Sequence, residues 1–398
     1  MRSACSDSSC PAPRKYRVAS LFSGIGGFEK GLASAGHQVE LFCENNADAQ
    51  IVLRERFNGI PVHSDVRVLK ALPASVDLVT AGFPCQDLSQ AGQTAGIFGA
   101  NSGLVWEVFR LLDASKSASV LFENVPFMLR LNRGAAMQAL VDRLEQMGYR
   151  WAYRTVDARS FGLPQRRPRV FLFASRENNP CDTLFADNAV EPENDLKGEP
   201  SFGFYWTEGN RGIGWAVNAL PALKGGSGLG ILSAPAIILP NANIVTPHIN
   251  DAERLQGFPV NWTAPAVTAG GKEGSRWRLV GNAVNVRVAR WIGNRLSVPG
   301  TFDAGDCPKL ASPPWPDAAF NIDGIRRIAP VTRFPVLRKT RPLHEFLRFV
   351  PKNLSLRAAS GVLGRLKESN LRPEPVLMLS LERHVESMRA QQDFAGAL

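Results

Sequence analysis

Cysteine is scarce in this chain. Its 398 residues hold only Cys5, Cys10, Cys43, Cys85, Cys181 and Cys307, with no C-x-x-C pair and no disulfide-like spacing. That argues against a disulfide-stapled secreted scaffold and against a zinc site, so reduced thiols and no metal are expected. Long apolar runs are missing too, and the N-terminus MRSACSDSSCPAPRKYR is basic without the apolar stretch of a signal peptide. A folded cytoplasmic protein with no membrane partner is the expectation. No internal repeat is apparent. Acidic residues are in deficit, 36 against 46 Lys and Arg, a net charge of +10. Such a balance fits a polyanionic partner, although many basic proteins share it without binding nucleic acid.

The length allows two or three domains. Over the first 175 residues, strand-like and helix-like stretches alternate: YRVASLFSG, GGFEKGLASAG, QVELFCE and ADAQIVLRERF, then the apolar runs VDLVTAGF, SVLFEN and RVFLFAS. Runs apolar on both faces belong in a mostly parallel sheet covered by helices, whose ligands collect at the carboxyl ends of the strands. From residue 176 the pattern becomes polar, Pro-rich and Gly-rich, which marks 176–245 as a separate small, irregular domain. Regular patterning returns over 246–298 with DAERLQGF and GNAVNVRVARWIGNRL, the latter placing Val284, Val288, Ala289 and Ile292 on one side. Residues 299–398 form a C-terminal accessory region, in which 301–398 carry ten prolines and 15 Lys or Arg against 10 Asp or Glu. Residues 1–16 read as a tail and 17–175 as the main domain.

Unusual residues gather at the strand ends. Gly24, Gly26 and Gly27 follow the first strand, where glycines allow a tight turn and close approach of a ligand. Glu44 follows the second, placed to accept the two hydroxyls of a ribose. Because GIGGFEKG lacks the full dinucleotide spacing, a nucleoside cofactor without a diphosphate is favoured. Cys85 stands at the end of the fourth run, in GFPCQDLSQAG, where neighbouring cations would make it nucleophilic. Glu123 and Asn124 end the fifth run, and QRRPR sets Arg167 and Arg169 two apart, able to face one ligand. Each feature alone has a plain reading as a loop thiol, a solvated carboxylate or a tight turn. Four placements at four strand ends favour a site.

FSGIGGFEKGL, GFPCQDLS, ENV, QRRPRVF, RLQGFP and GNAVNVRVARWIG resemble, in order, the motifs of the DNA (cytosine-5) methyltransferases of restriction-modification type. The resemblance covers residues 17 to about 296. It implies a doubly wound α/β fold, the Rossmann-like class I methyltransferase fold, with 176–245 as target recognition domain. It also implies S-adenosylmethionine as cofactor and double-stranded DNA as substrate. Cys85 is then the nucleophile that adds to cytosine carbon 6, Glu123 the proton donor at N3, and Arg169 the ligand of the base carbonyl. Arg167 supports Arg169, Asn124 holds the loop, and Gln165 fixes the turn. Phe22, Gly24, Ile25, Gly26 and Gly27 frame the cofactor with Glu44, Asp65, Pro84, Leu104, Asn282 and Ala283. Gln86 and Ser89, in the loop 86–103 that closes over a flipped base, join Arg211, Trp215, Lys224 and Ser227 as candidate DNA contacts. By analogy a cognate restriction endonuclease cuts the same site, and the enzyme acts as a monomer.

Other classes stay open at this point. A tRNA cytosine-5 methyltransferase shares the catalytic core, though the Cys-Phe-Thr element of those relatives is absent. A nicotinamide oxidoreductase fits the first hundred residues but leaves Cys85, Glu123 and Arg169 without roles. A non-catalytic DNA-binding module leaves the intact motifs unexplained.

Overall fold

The computed structural model describes residues 13–84, 103–115, 117–192, 199–210, 212–225, 234–311 and 313–396. The five strand-like stretches become β1 (Arg17–Leu21), β2 (Gln38–Cys43), β4 (Leu78–Ala81), β5 (Ser119–Asn124) and β7 (Pro168–Ser175), and two strands that the sequence does not mark, β3 (Val62–His63) and β6 (Arg150–Asp157), join them. Two further strands, β8 (Ala318–Asn321) and β9 (Arg326–Ile328), complete a nine-stranded sheet of order β9-β8-β6-β7-β5-β4-β1-β2-β3. From β3 to β5 neighbours are parallel, while β7 runs antiparallel between β5 and β6. The carboxyl end of β5 therefore lies beside the start of β7. That reversal brings Glu123 and Arg169 to one edge.

Both faces are covered, as the apolar strands require. After β2 comes α2 (Ala47–Arg56), and on one face of the sheet α3 (Val105–Ser115) and α4 (Ala135–Gln146) bury Phe109, Leu112, Leu140 and Leu144 against Val79 and Val120. On the other, α1 (Gly27–Ala33) lies against α7 (Val286–Ser297), with Phe28, Leu32, Ala289 and Ile292 in a second core. The two helices touch closely because α1 offers glycine: a Cβ on Gly27 would stand 2.2 Å from the Val284 carbonyl oxygen. Val284 precedes α7, because the Asn285 side chain accepts from the Arg287 and Val288 amides and starts the helix there. The expected apolar side is thus carried by Val288, Ala289 and Ile292, with Val284 in the entering turn. Between residue 245 and α7 lie α5 (Ile249–Leu255) and α6 (Glu273–Asn282).

A smaller five-stranded sheet is built from Phe202–Phe204, Ala216–Val217, Ala236–Ile238, Ile244–Thr246 and Lys352–Asn353. Its strands are two or three residues long, and its stability comes from the helices α8 (Leu356–Glu368) and α9 (Pro375–Gly396) packed on it. Phe204, Ile238 and Ile244 share one core with Val362, Leu366, Leu377 and Leu381. Residues after 299 are divided between the bodies: β8 and β9 extend the large sheet, while the strand at 352 and both helices complete the small one.

Candidate functional site

After β1 the backbone turns through left-handed conformations at Phe22 (φ 55°), Gly24 (φ 54°) and Gly26 (φ 78°). For a phenylalanine this is uncommon and is held only where the surroundings over-determine it. Ile25 is buried, and the Trp262 indole N–H donates to its carbonyl at 2.9 Å. Beside Gly24 the turn is open, since an added Cβ would meet nothing within 4 Å. Glu44 follows β2 at 9% exposure and accepts from the amides of Gly24 at 2.7 Å and Asn46 at 2.8 Å. Burial pushes its pKa up, against those backbone hydrogen bonds. Each carboxyl oxygen still has acceptor capacity, and Glu44 also fixes the turn. Asp65 lies near Cys43, as Glu44 does, but its carboxylate pairs with Arg67 at 2.7 Å, and that guanidinium holds its pKa below the usual range.

Beyond β4, a Cβ on Gly82 would lie 3.6 Å from Glu123 Oε2 and 3.9 Å from the Phe22 carbonyl oxygen. The ends of β1, β4 and β5 thus converge on one glycine-lined cleft. Asn124 donates to the Phe83 carbonyl at 3.1 Å and accepts from the Val125 amide at 2.8 Å, tying the strand end to the chain two residues before Cys85. Cys85, Gln86 and Ser89 lie outside the described residues, as do Arg211 and Ser227. Pro84 is exposed, and Leu104 packs partly buried against the core behind the cleft.

Glu123 is 8% exposed, with its Oε1 3.1 Å from Arg169 Nε. Burial raises the Glu123 pKa, opposed by the Arg169 and Arg167 charges. A carboxyl so poised holds its proton nearer neutrality than a surface glutamate does, which suits a proton donor. Arg167, expected to face the same ligand, is turned elsewhere: its terminal nitrogens donate to the carbonyls of Leu223 (2.8 Å), Gly281 (3.0 Å) and Ala283 (2.8 Å). Gln165 donates to the Leu255 carbonyl and accepts from the Leu223 amide. These two side chains knit the small-sheet region, α5 and the end of α6 to the strand carrying Arg169.

Asn282 is exposed and approached by the chain at Gly225, where a Cβ would stand 2.0 Å from its Oδ1; Ala283 is buried. Trp215 stacks on Phe202, ring centroids 4.9 Å apart. Lys224 pairs with Glu208 and sits 4.2 Å over the Tyr205 ring. Both candidates are thereby partly engaged within the protein.

Sequence reasoning missed several participants. The Trp262 contact to Ile25 has no local signal, because the partners are far apart in the chain. Glu29 is fully buried in α1, accepts from the Thr80 hydroxyl at 3.0 Å, leaves its Oε2 without a partner, and is pushed up to about 7 by burial. Its signal was present as an acidic residue among glycines and apolar residues in GGFEKGL. Among the described residues no group of three or more metal-ligating side chains could hold a metal ion, and no helix is long and apolar enough to cross a membrane.

A model of the C-5 cytosine-specific DNA methylase family matches residues 16–205. The chain is 48% identical over 382 residues to the type II methyltransferase M2.BsuMI of Bacillus subtilis (strain 168), covering 92% of this chain and 97% of that protein. It is 26% identical to the type II methyltransferase M.DsaV of Dactylococcopsis salina, over 71% of this chain and 86% of that one. In fold it resembles the crystal structure of the S. pombe Dnmt2 methyltransferase, with a TM-score of 0.52 at 18% identity, over 71% of this chain and 98% of that one.

Proposed function

The chain belongs to the C-5 cytosine-specific DNA methylase family and methylates carbon 5 of cytosine in DNA, and from that premise we propose which of its residues carry the reaction and what the reaction serves. The observation that supports the assignment most directly is the buried Glu123–Arg169 pair, set at the cleft whose fourth strand leads into Cys85. Carbon 5 of cytosine is a weak nucleophile. In our reading the Cys85 thiolate adds to carbon 6 while Glu123 delivers a proton to N3, which turns the ring into an enamine nucleophilic at carbon 5. Such general-acid assistance is worth about a hundred- to ten-thousand-fold. Arg169 holds the base carbonyl and keeps Glu123 oriented. After methylation the carbon 5 proton leaves to a base and the thiolate is expelled.

S-adenosylmethionine is the methyl donor of the family, and when bound it supplies the methyl group as an electrophile. The residues present fit it: a turn open at Gly24, a carboxylate at Glu44 with spare acceptor capacity, and Phe22 and Ile25 beside them. We assign the ribose to Glu44, with Gly26, Gly27, Asp65, Pro84, Leu104, Asn282 and Ala283 around the remainder. Arg167 and Gln165 act as positioning residues through the carbonyls they hold. Target recognition falls to 176–245, with Arg211, Trp215, Lys224 and Ser227 as its proposed DNA contacts and Gln86 and Ser89 as two more from the segment that follows Cys85. The type II names of the relatives support a role in protecting host DNA from a cognate endonuclease, and we take the enzyme to act as a monomer in the cytoplasm.

A duplex carrying 5-fluorocytosine at the target tests the assignment, because fluorine cannot leave as a cation. A denaturation-resistant adduct should form only with S-adenosylmethionine and should vanish in Cys85→Ser. An adduct at wild-type yield in that variant would remove Cys85 as nucleophile. Bisulfite sequencing of plasmid from expressing cells would supply the target sequence.

A further inference from the structure

The face around the turn at Phe161 and Gly162 carries a concentration of positive charge that the reaction leaves unused. Residues 338–341, Arg-Lys-Thr-Arg, cross this turn, with the Arg338 amide donating to the Ser160 carbonyl at 3.1 Å. Gly162 has φ +72°, and a Cβ there would stand 2.9 Å from the Lys339 carbonyl oxygen, so the two backbones are held in close contact. From α7, Arg287 donates to the Phe161 carbonyl at 2.9 Å, and Arg290 follows one turn later. Arg290, Arg338, Lys339 and Arg341 are exposed, and among the described residues none of the four is in an ion pair. Of the acids around this turn, Asp157 and Glu191 are both engaged by Arg159, while Glu345, in the short helix after Arg341, is exposed and in no ion pair among the described residues, which leaves the four cations in excess. Burial, together with Arg290, Arg338 and Arg254, lowers the Arg287 pKa, an effect of like charges gathered at short range.

The cations are also presented from fixed backbone. Just beyond them Leu343 and Phe346 are buried in the core that holds Leu163 and Leu255, and Asp251 accepts from the amides of Arg348 and Phe349 at 3.1 Å. Four like charges gathered on an ordered surface oppose folding, and a polyanion relieves the repulsion. Duplex DNA, with one phosphate charge per about 1.7 Å of its axis, is such a polyanion. The turn lies three residues ahead of Gln165, where the catalytic and small-sheet bodies meet.

We propose that Arg290, Arg338, Lys339 and Arg341 form a second phosphate-backbone contact, gripping the duplex beside the target site without reading its bases. The proposal rests on the DNA methylase reading above. It is tested with the full-length protein by measuring the salt dependence of binding to two labelled duplexes, one ending at the target site and one extended by two helical turns on each side. For the variant R338A/K339A/R341A, the slope of log K against log salt on the long duplex should fall by about 0.9 per lost contact, hence by about two to three units. Its slope on the short duplex and its single-turnover methyl transfer at saturating DNA should match the wild type. R338K/R341K should keep the wild-type slope, because a lysine still neutralises a phosphate. An unchanged slope in the alanine variant, an equal loss on both duplexes, or the same loss in the lysine variant would each overturn the proposal. A wild-type protein with no salt-dependent affinity for either duplex would instead count against the DNA methylase reading itself.

Discussion

At the carboxyl edge of the nine-stranded sheet, three candidate groups are particular residue types at the ends of strands, bonded to their neighbours and nearly buried: Glu44 on Gly24, Asn124 on Phe83, Glu123 on Arg169. In the five-stranded sheet the strands are two or three residues long and the core is borrowed from α8 and α9, more than a hundred residues further along the chain. The first region is constrained by chemistry, which accepts few substitutes for a carboxylate or a guanidinium at a given distance. The second is constrained by shape, which many apolar side chains can satisfy. Variants should therefore separate the two regions by what they damage.

The largest effect is expected for Glu123→Gln. Proton delivery at N3 is weakened while the fold and DNA surface remain, so the methyl-transfer rate should fall by about a hundred- to ten-thousand-fold with little change in DNA affinity, read by single-turnover kinetics. A parallel loss of affinity would blur the division between the two regions. Next comes Leu381→Ala, which removes a fully buried side chain of α9 from the small-sheet core. It should cost about 2–5 kcal/mol in thermal or denaturant unfolding. Loss of DNA binding before loss of cofactor binding on heating would sharpen the comparison; simultaneous loss would mean that the bodies unfold as one.

Glu29 offers a test inside the catalytic body that leaves the chemistry alone. Burial pushes its folded pKa from 4.5 up to about 7. The folded state therefore holds the proton more tightly than the unfolded one. The associated stability is fully present below about pH 4.5 and is lost as the pH rises through about 7, a difference of about 3 kcal/mol at most. Glu29→Gln should accordingly raise the melting temperature at pH 8 and change it little at pH 5. An equal shift at both pH values would mean that the carboxyl is solvated or paired. The smallest effect is expected for Glu44→Ala, which should weaken S-adenosylmethionine binding by about 1–3 kcal/mol in calorimetry. Unchanged affinity in a folded variant would reduce Glu44 to a support for the glycine turn.

The doubly wound sheet was legible because β1, β2, β4, β5 and β7 are apolar on both faces and separated by helical stretches, and because glycine and acidic residues break the apolar pattern where strands end. The nine-stranded extent was not. Nothing near residue 320 marks AAFN as a partner for β6, since antiparallel pairing across 160 residues leaves no local trace. Spacing alone makes Arg167 a companion of Arg169 toward one ligand. Its direction is set by the carbonyls of Leu223, Gly281 and Ala283, three partners that only the fold brings together. The accessory role expected for 299–398 also could not show its division, because amphipathic helices reveal an apolar face without naming what it covers. Truncation at residue 300 would strip β8, β9, α8 and α9 at once, so it cannot isolate sequence choice in the way that Leu381→Ala can.

The close seating of α1 on α7 bears on how the chain is made. Gly27 and Gly31 leave no room for side chains against Val284 and Ala289, so the groove they form has a single matching occupant. That occupant leaves the ribosome some 250 residues after α1. At about 5–20 residues per second the interval is roughly ten to fifty seconds, in which Phe28 and Leu32 lack their native cover. The nascent chain thus passes through a stage in which much of its parallel sheet can pair while one apolar face stays open. Binding of a chaperone holdase to ribosome-bound chains that end before α7, lost once α7 has emerged, is the expected signature of that delay.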